Sequence, residues 1–439
     1  MWPVKNLIYQ YVLRNRCALA REIESEIDGL PTRVQREEFQ VERFNKIWAT
    51  ASASVPFYIA WRKRFNLPDK IRSLNELMAW PILTKDDLRH SENFVRTDVP
   101  EPKGRILTGG STGTPVRLPG WFDKMAGVSQ MIGRRRYGVS LADRVFLLWG
   151  HEHLYGTGFK RSINIYKRRL KDWIADWKRC SAYDLSQGAM RVAFDQLVAC
   201  KPTAIIAYSP AMISFCRQNI NRAGEIKSVK TIICSAGPLS QDEKLEISSF
   251  FSGAQICMEY GTVECGIIAY TNPLDGEYDV FWNTHLLQAE RDSSNEFRAI
   301  VTRLTDCYVP LIRYDVGDYL ELFEDEVDVC SVLRMKDVKG RPTELIKFRN
   351  GVEFFAWTIG DCVKQVPEII SHQVAVDEKN NRLEIRVVAV DALSDAQKSV
   401  VVDRLSRIVA NCMSLRVSVV QVDELSVTVG GKTPRVVRL

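Results

Sequence analysis

Thr108-Gly109-Gly110-Ser111-Thr112-Gly113-Thr114-Pro115 is the most informative stretch of the chain. Three glycines and three hydroxyl residues fill positions 108–113. Glycines let backbone amides approach an anion with no Cβ in the way, and hydroxyls add donors for phosphate oxygens. Such a loop is built to hold a polyphosphate, although it lacks the Gly-Lys-Ser/Thr ending of a P-loop. Taken alone it reads more readily as an ordinary turn, because Gly, Ser and Thr cluster wherever chains reverse. Agreement from distant segments decides between the two readings.

Outward from the loop, positions 104–300 alternate between apolar runs and helical spacing. Val145-Phe146-Leu147-Leu148-Trp149 is a short apolar run closed by Gly150, the mark of a buried strand. Helical spacing over 188–200 precedes a strand at 203–208, and Ser209-Pro210 opens the next helix with proline in its first turn. Further strands are expected at 230–235 and 254–260. This alternation predicts an α/β fold with a largely parallel sheet. Residues 1–75 read as helices broken at Val55-Pro56, and Thr84 caps a new helix. Beyond about 320 the texture changes: strands at 369–376 and 382–390 flank a turn, a helix runs over 394–413 from a Ser394 cap, and a strand follows at 415–422. The expected organisation is a large N-terminal domain over 1–339 and a small C-terminal α+β domain over 340–439. The hinge falls near Lys339-Gly340-Arg341-Pro342.

Composition narrows the class. The 439 residues are 46% hydrophobic and 26% charged, as in globular proteins, and no apolar run is long enough to span a membrane. The amphipathic, basic N-terminus reads as a helix packed on the domain rather than a signal peptide, so membrane contact is at most peripheral. Eleven dispersed cysteines include no Cys-x-x-Cys pair, which implies reduced thiols and a cytoplasmic location. Five histidines make a histidine-based metal site improbable. The net charge of +6 is modest. Basic residues do gather between Arg134 and Arg179 with Tyr137, Trp149, Tyr155, Tyr166, Trp173 and Trp177 among them. Nucleic-acid binding predicts salt-sensitive association through this region. The favoured reading is a solvated helix face whose aromatics point to the core, with no nucleic acid bound.

Four segments join the phosphate loop. Tyr260-Gly261-Thr262-Val263-Glu264 follows a strand, and Arg313-Tyr314-Asp315-Val316-Gly317-Asp318 follows Pro310-Leu311-Ile312. Gly340-Arg341-Pro342-Thr343-Glu344 sits at the hinge, and Gly430-Gly431-Lys432-Thr433-Pro434 lies near the C-terminus. In order and spacing these resemble the adenylate-forming superfamily of acyl-CoA synthetases, peptide-synthetase adenylation domains and luciferases. Val55-Pro56-Phe57-Tyr58, Pro81-Ile82-Leu83-Thr84-Lys85-Asp86-Asp87-Leu88, and Lys201-Pro202-Thr203 leading to Ser209-Pro210 resemble its phenylacetate–CoA ligase and capsular-polysaccharide-biosynthesis branch. The resemblance runs from about 55 to 439.

The resemblance implies an ATP- and Mg²⁺-dependent ligase that joins a small carboxylic acid to AMP, releases pyrophosphate, and passes the acyl group to coenzyme A or a carrier-protein phosphopantetheine. Thr108, Gly109, Gly110, Ser111, Thr112 and Gly113 would cradle phosphates. Glu264 would ligate Mg²⁺. Asp318 would take the ribose hydroxyls, with Arg341 nearby. Tyr260, Gly261, Thr262 and Gly237 would surround adenine and the acyl pocket. Lys432, on a mobile C-terminal domain, would bridge the carboxylate and the α-phosphate. His151 and His153 would face the acyl pocket, which points to an amino or hydroxy acid. The chain departs from the family pattern at Val263, Asp315 and Thr343. Two alternatives stay open: acyl transfer to an amine or hydroxyl in surface-polysaccharide biosynthesis, and a degenerate nucleotide-binding scaffold.

Overall fold

Three neighbouring strands, Val145–Trp149, Ala204–Tyr208 and Thr231–Ser235, are buried along almost their whole length. Burial without alternation means cover on both faces, and the packing divides accordingly. Phe146, Leu148, Ile205, Ala207, Ile232 and Cys234 belong to one apolar core, whereas Val145, Leu147, Ala204, Ile206 and Ile233 belong to another. Side chains alternate across the sheet and each set meets its own layer of helices. The computed structural model describes the whole chain except residues 1, 90, 101, 103–104, 108–116, 120–123, 151–157, 183–184, 186, 293–294, 340–344, 364, 390, 410 and 427–435.

The large sheet has eight strands, in the order Arg334–Met335, Tyr278–Val280, Gly266–Thr271, Gln255–Thr262, Thr231–Ser235, Ala204–Tyr208, Val145–Trp149, Trp177–Ser181. The last five named are parallel, and pairing turns antiparallel from Gln255–Thr262 onward. Helix Lys124–Arg136 lies close on this sheet because it offers Gly133 to the Tyr270 ring: a Cβ there would fall 2.4 Å from a ring carbon.

A second sheet of four antiparallel strands, His285–Arg291, Phe297–Arg303, Tyr314–Glu321 and Asp337–Lys339, follows in the chain. The sequence reading foresaw no such sheet. The N-terminal helices pin it. Helix Arg33–Ser54 forms from a Thr32–Gln35 capping box and buries Phe44, Ile47, Trp48 and Ala51 at helical spacing. In helix Pro56–Phe65 the Tyr58 hydroxyl donates to the Pro310 carbonyl at 3.0 Å and accepts from the Ile312 amide at 3.1 Å. Arg313 is 1% exposed, and its guanidinium donates to Leu77 O (3.0 Å) and Gln288 Oε1 (3.2 Å) and pairs with Glu290.

Residues 346–436 contribute a core of their own, including Ile346, Phe354, Ile359, Val374, Leu383, Ile385, Leu405 and Val436. There the strands Arg416–Gln421, Arg382–Ala389, Ile369–Asp377 and Val436–Arg438 form a four-stranded mixed sheet with helix Asp395–Ile408 beside it.

The structure corrects three local expectations. Thr84 and Asp87 exchange the hydrogen bonds of a cap (Thr84 N–H to Asp87 Oδ2 2.8 Å, Asp87 N–H to Thr84 Oγ1 3.3 Å), but only a 3₁₀ turn over Asp87–Arg89 follows. The helix expected over 394–413 ends at Ile408, and Asn411 in the left-handed region (φ 57°) starts a 3₁₀ turn. In helix Gly158–Ala175, Tyr166 and Trp173 are exposed rather than turned to the core, whereas Tyr137 is buried as expected. In the neighbouring basic cluster, Arg135 pairs with Glu24 (2.8 Å), Arg136 with Asp279 (3.3 Å) and Arg179 with Asp172 (2.5 Å).

Candidate active site

Open α/β sheets bind ligands beyond the carboxyl ends of their strands, and three of the expected site segments gather there. Strand Thr231–Ser235 runs into Ala236-Gly237-Pro238, where Ala236 holds a left-handed backbone (φ 65°). That conformation costs a non-glycine residue about 1 kcal/mol or more, and such strain collects at functional sites. It persists because the surroundings fix it. The buried Ser209 hydroxyl, at the start of helix Ser209–Gln218, lies 2.7 Å from the Gly237 carbonyl and 3.1 Å from that of Ser235. The Ser235 hydroxyl in turn donates to the Glu259 carbonyl (3.2 Å).

The neighbouring strand, Gln255–Thr262, ends in a hairpin to Gly266–Thr271 that carries Glu264 at its tip. Gly261 is required here: a Cβ would lie 2.4 Å from the Gly266 carbonyl oxygen and 2.9 Å from Ile267 Cα. The Thr262 hydroxyl accepts the Cys265 amide at 3.0 Å, which folds the turn. Two buried side chains support the tip from below. His285 Nε2 lies 2.9 Å from the Cys265 carbonyl, and Arg303 Nη1 donates to the Glu264 carbonyl at 3.4 Å. Burial pushes the Cys265 thiol up to about 12, so it stays protonated and inert.

Asp318 comes from the second sheet. Opposite Arg298 and Ile300, strand Tyr314–Glu321 carries extra residues between Asp315 and Tyr319, a bulge with Gly317 at φ 77°. Asp315 stabilises it: one carboxylate oxygen accepts the Gly317 amide (2.9 Å) and the other pairs with Arg298 (2.6 Å). Asp315 thus has a structural task of its own at the position where the family pattern has arginine.

Two tyrosine–carboxylate contacts cross between the sheets. The Tyr260 hydroxyl, from the large sheet, donates to Asp318 Oδ2 at 3.2 Å. The Tyr314 hydroxyl, from the antiparallel sheet, faces Glu264 Oε1 at 3.5 Å. Burial, and after it the Asp318 charge, push the Tyr260 phenol well above its ordinary value, so it remains a donor at neutral pH. Asp318 and Glu264 are half-buried. No group of three or more His, Cys, Asp or Glu side chains able to hold a metal occurs among the described residues. A lone half-buried carboxylate such as Glu264 nonetheless fits Mg²⁺, which takes one or two protein carboxylates and completes its shell with phosphate and water oxygens.

Among the expected site residues, the structure brings together Tyr260, Gly261, Thr262, Glu264 and Asp318, and sets Gly237 at the end of the adjoining strand. Thr108 to Gly113, His151, His153, Arg341 and Lys432 lie outside the described residues. Sequence reasoning missed Ser209, His285, Arg303 and Tyr314. Of these, Tyr314 carried a signal, since it stands inside the segment that holds Asp318.

No known family profile matches the chain. Protein CapK of Staphylococcus aureus is 21% identical over 375 residues, covering 84% of this chain and 81% of its own length. The phenylacetate-coenzyme A ligase of Aromatoleum evansii is 24% identical over 378 residues, covering 81% and 82%. Among solved structures, 2-hydroxyisobutyryl-CoA ligase with 2-HIB-AMP and CoA in the thioesterification state superposes with a TM-score of 0.58 at 16% identity, covering 93% of this chain and 91% of its own. An open conformation of that ligase gives a TM-score of 0.56 at 16% identity, with 92% and 93% covered. The chain thus shares the fold of such ligases and is similar to these two relatives along most of its length, in keeping with its resemblance to the adenylate-forming superfamily and its phenylacetate–coenzyme A ligase-like branch.

Proposed function

We propose that the protein is an ATP- and Mg²⁺-dependent carboxylate-activating ligase whose acceptor is a thiol, coenzyme A or a carrier-protein phosphopantetheine. The observation that carries the proposal is the crossed pair of tyrosine–carboxylate contacts, Tyr260 with Asp318 and Tyr314 with Glu264, at the carboxyl end of the parallel strands. It supports a division of labour between two carboxylates. Asp318, oriented by Tyr260, accepts hydrogen bonds from the ribose hydroxyls. Glu264, on a hairpin tip braced by Arg303 and His285, meets the metal at the phosphates. Mg²⁺ supplies charge neutralisation on the phosphate oxygens.

In this reading Thr108 to Gly113 hold the β- and γ-phosphates, and Arg341 lies near the ribose. Lys432 neutralises the charge that builds as one anion attacks another. A substrate carboxylate oxygen bonds to the α-phosphorus, and the bond to pyrophosphate breaks. A thiol then attacks the acyl carbon, and AMP leaves. The separate apolar core of residues 346–436 supports a boundary near 339–340, between a domain over 1–339 and one over 340–439 that moves between the two half-reactions. His151 and His153 make the acyl pocket polar, suited to a small amino or hydroxy acid. The 2-HIB-AMP bound by the solved relative agrees with that class. The named relatives that are ligases use coenzyme A, which favours a thiol over an amine or hydroxyl acceptor.

Pyrophosphate release with Mg-ATP and a panel of amino, hydroxy, aryl and fatty acids tests the proposal, comparing the native protein with Lys432→Ala. One acid class is expected to stimulate release, and the variant to lose it by at least about a hundredfold, the worth of a single transition-state contact, with its melting temperature kept. ATP binding without acid-dependent release, with or without coenzyme A, would overturn the proposal in favour of a nucleotide-binding scaffold.

A further inference from the structure

Helix Gly158–Ala175 is built inside out. Arg161, Ile165, Arg168, Asp172 and Ala175, spaced by four and three residues, are less exposed, as is Ile174, and Asp172 pairs there with Arg179 of the adjoining strand. On the opposite side Ile163, Tyr166, Leu170 and Trp173 recur at i, i+3, i+7 and i+10 and are 39%, 71%, 47% and 53% exposed. A helix that merely covers a core places these sets the other way round. Ten residues of helix make an apolar ridge about 15 Å long. At 3.6 residues per turn, Lys167 and Arg169 fall roughly 80° to either side of it, and both are exposed, as is Lys171. The helix holds six basic residues and one acidic one. Beside it packs helix Trp2–Gly29, which exposes Ile8, Tyr11 and Val12 and sets Arg14 over the Tyr11 ring at 4.0 Å.

We propose that this ridge seats the protein on an anionic lipid bilayer, lying in the plane of the headgroups. Three features single out that occupant. A ridge of apolar side chains with cations on both flanks is the pattern of a helix that sinks part-way into the headgroup layer while its lysines and arginines meet lipid phosphates. Tyr166 and Trp173 are the residue types that prefer the boundary between apolar and wet. The concentration of positive charge opposes pairing with a second copy of the same face. No helix among the described residues is long and apolar enough to cross a membrane, so the contact is peripheral.

Co-sedimentation of the full-length protein with phosphatidylglycerol-containing vesicles, against vesicles of phosphatidylcholine alone, tests the proposal. Binding is expected to be more than about tenfold tighter on the anionic vesicles and to weaken as salt is raised. The double variants Tyr166→Ser/Trp173→Ser and Lys167→Glu/Arg169→Glu should each bind the anionic vesicles more than about tenfold more weakly, with native circular dichroism and melting. Quenching of tryptophan fluorescence by brominated lipid should fall in Trp173→Phe. Failure of the native protein to bind anionic vesicles, or undiminished binding by both double variants, overturns the proposal. So does self-association that the variants abolish, seen by sedimentation velocity without vesicles, since the ridge is then an interface between copies.

Discussion

Tyr260 and Asp318 stand 58 positions apart in sequence and 3.2 Å apart in space. The phenol is 7% exposed, so the carboxylate is its partner in place of water. The two residues therefore separate structural from ligand-binding contributions. Asp318→Ala removes the acceptor and leaves the Tyr260 hydroxyl buried and unpaired, a loss of about 1–3 kcal/mol in stability. On the proposed reading it also removes charge-assisted bonds to the nucleotide, so ATP affinity should fall roughly 10- to 100-fold. Tyr260→Phe keeps both carboxylate oxygens available and loses only their orientation, so its affinity change should stay below about tenfold. Calorimetric titration with ATP reads one effect and thermal melting the other. Native affinity in Asp318→Ala would remove that carboxylate from the nucleotide site.

At the scale of elements, the hairpin joining Gln255–Thr262 to Gly266–Thr271 sets where Glu264 points. The clash awaiting a side chain at Gly261 involves the Gly266 carbonyl and Ile267 Cα, both backbone, so no rotamer change relieves it. Gly261→Ala should therefore cost about 1–3 kcal/mol and displace the hairpin tip. A lower urea midpoint at unchanged slope, with Mg-dependent nucleotide affinity reduced in parallel, is the expected result; an unmoved midpoint would show that the tip has room. Elements of this kind differ in how readily sequence announces them. Val145–Trp149 was legible because five apolar residues between Arg144 and Gly150 leave little alternative to a buried strand. The Ser209-Pro210 helix start and the Asp377–Asn381 turn were legible through local chemistry, proline's fixed φ and the side-chain caps of Asp and Asn. Thr84 misled because a cap satisfies amides but does not supply the apolar spacing that propagates a helix. Tyr166 and Trp173 misled because periodicity reveals that a stripe exists, not which way it faces. The bulge that presents Asp318 could not be read in advance: it depends on register against Phe297–Arg303, a relation between strands rather than a property of either.

Across the whole molecule, the two faces of the large sheet have separate cores, and residues 346–436 a third. These interiors hold ionisable groups whose charged forms they do not solvate. Burial pushes the thiols of Cys234 and Cys265 up to about 12, and those of Cys216 and Cys257 well above the ordinary value. None of the eleven cysteines is in a disulfide. Burial likewise raises the phenols of Tyr58, Tyr260, Tyr270 and Tyr278. Each group is easier to deprotonate in the unfolded chain than in the folded one, so the unfolded state loses protons first as pH rises. Stability is accordingly full below the unfolded values, about 8.5 for cysteine and about 10 for tyrosine, and declines from there towards the higher folded values. The urea midpoint should hold level up to about pH 8, fall gently as unfolded thiols ionise, and fall more steeply beyond about pH 10 as tyrosines join them. Replacing Cys234 and Cys265 with alanine should flatten the first part of that decline and leave the second unchanged, because only the thiols titrate in the lower interval. A midpoint constant from about pH 8 to about pH 10.5 would mean that these thiols and phenols ionise alike in folded and unfolded chains, and that the interior around them admits water.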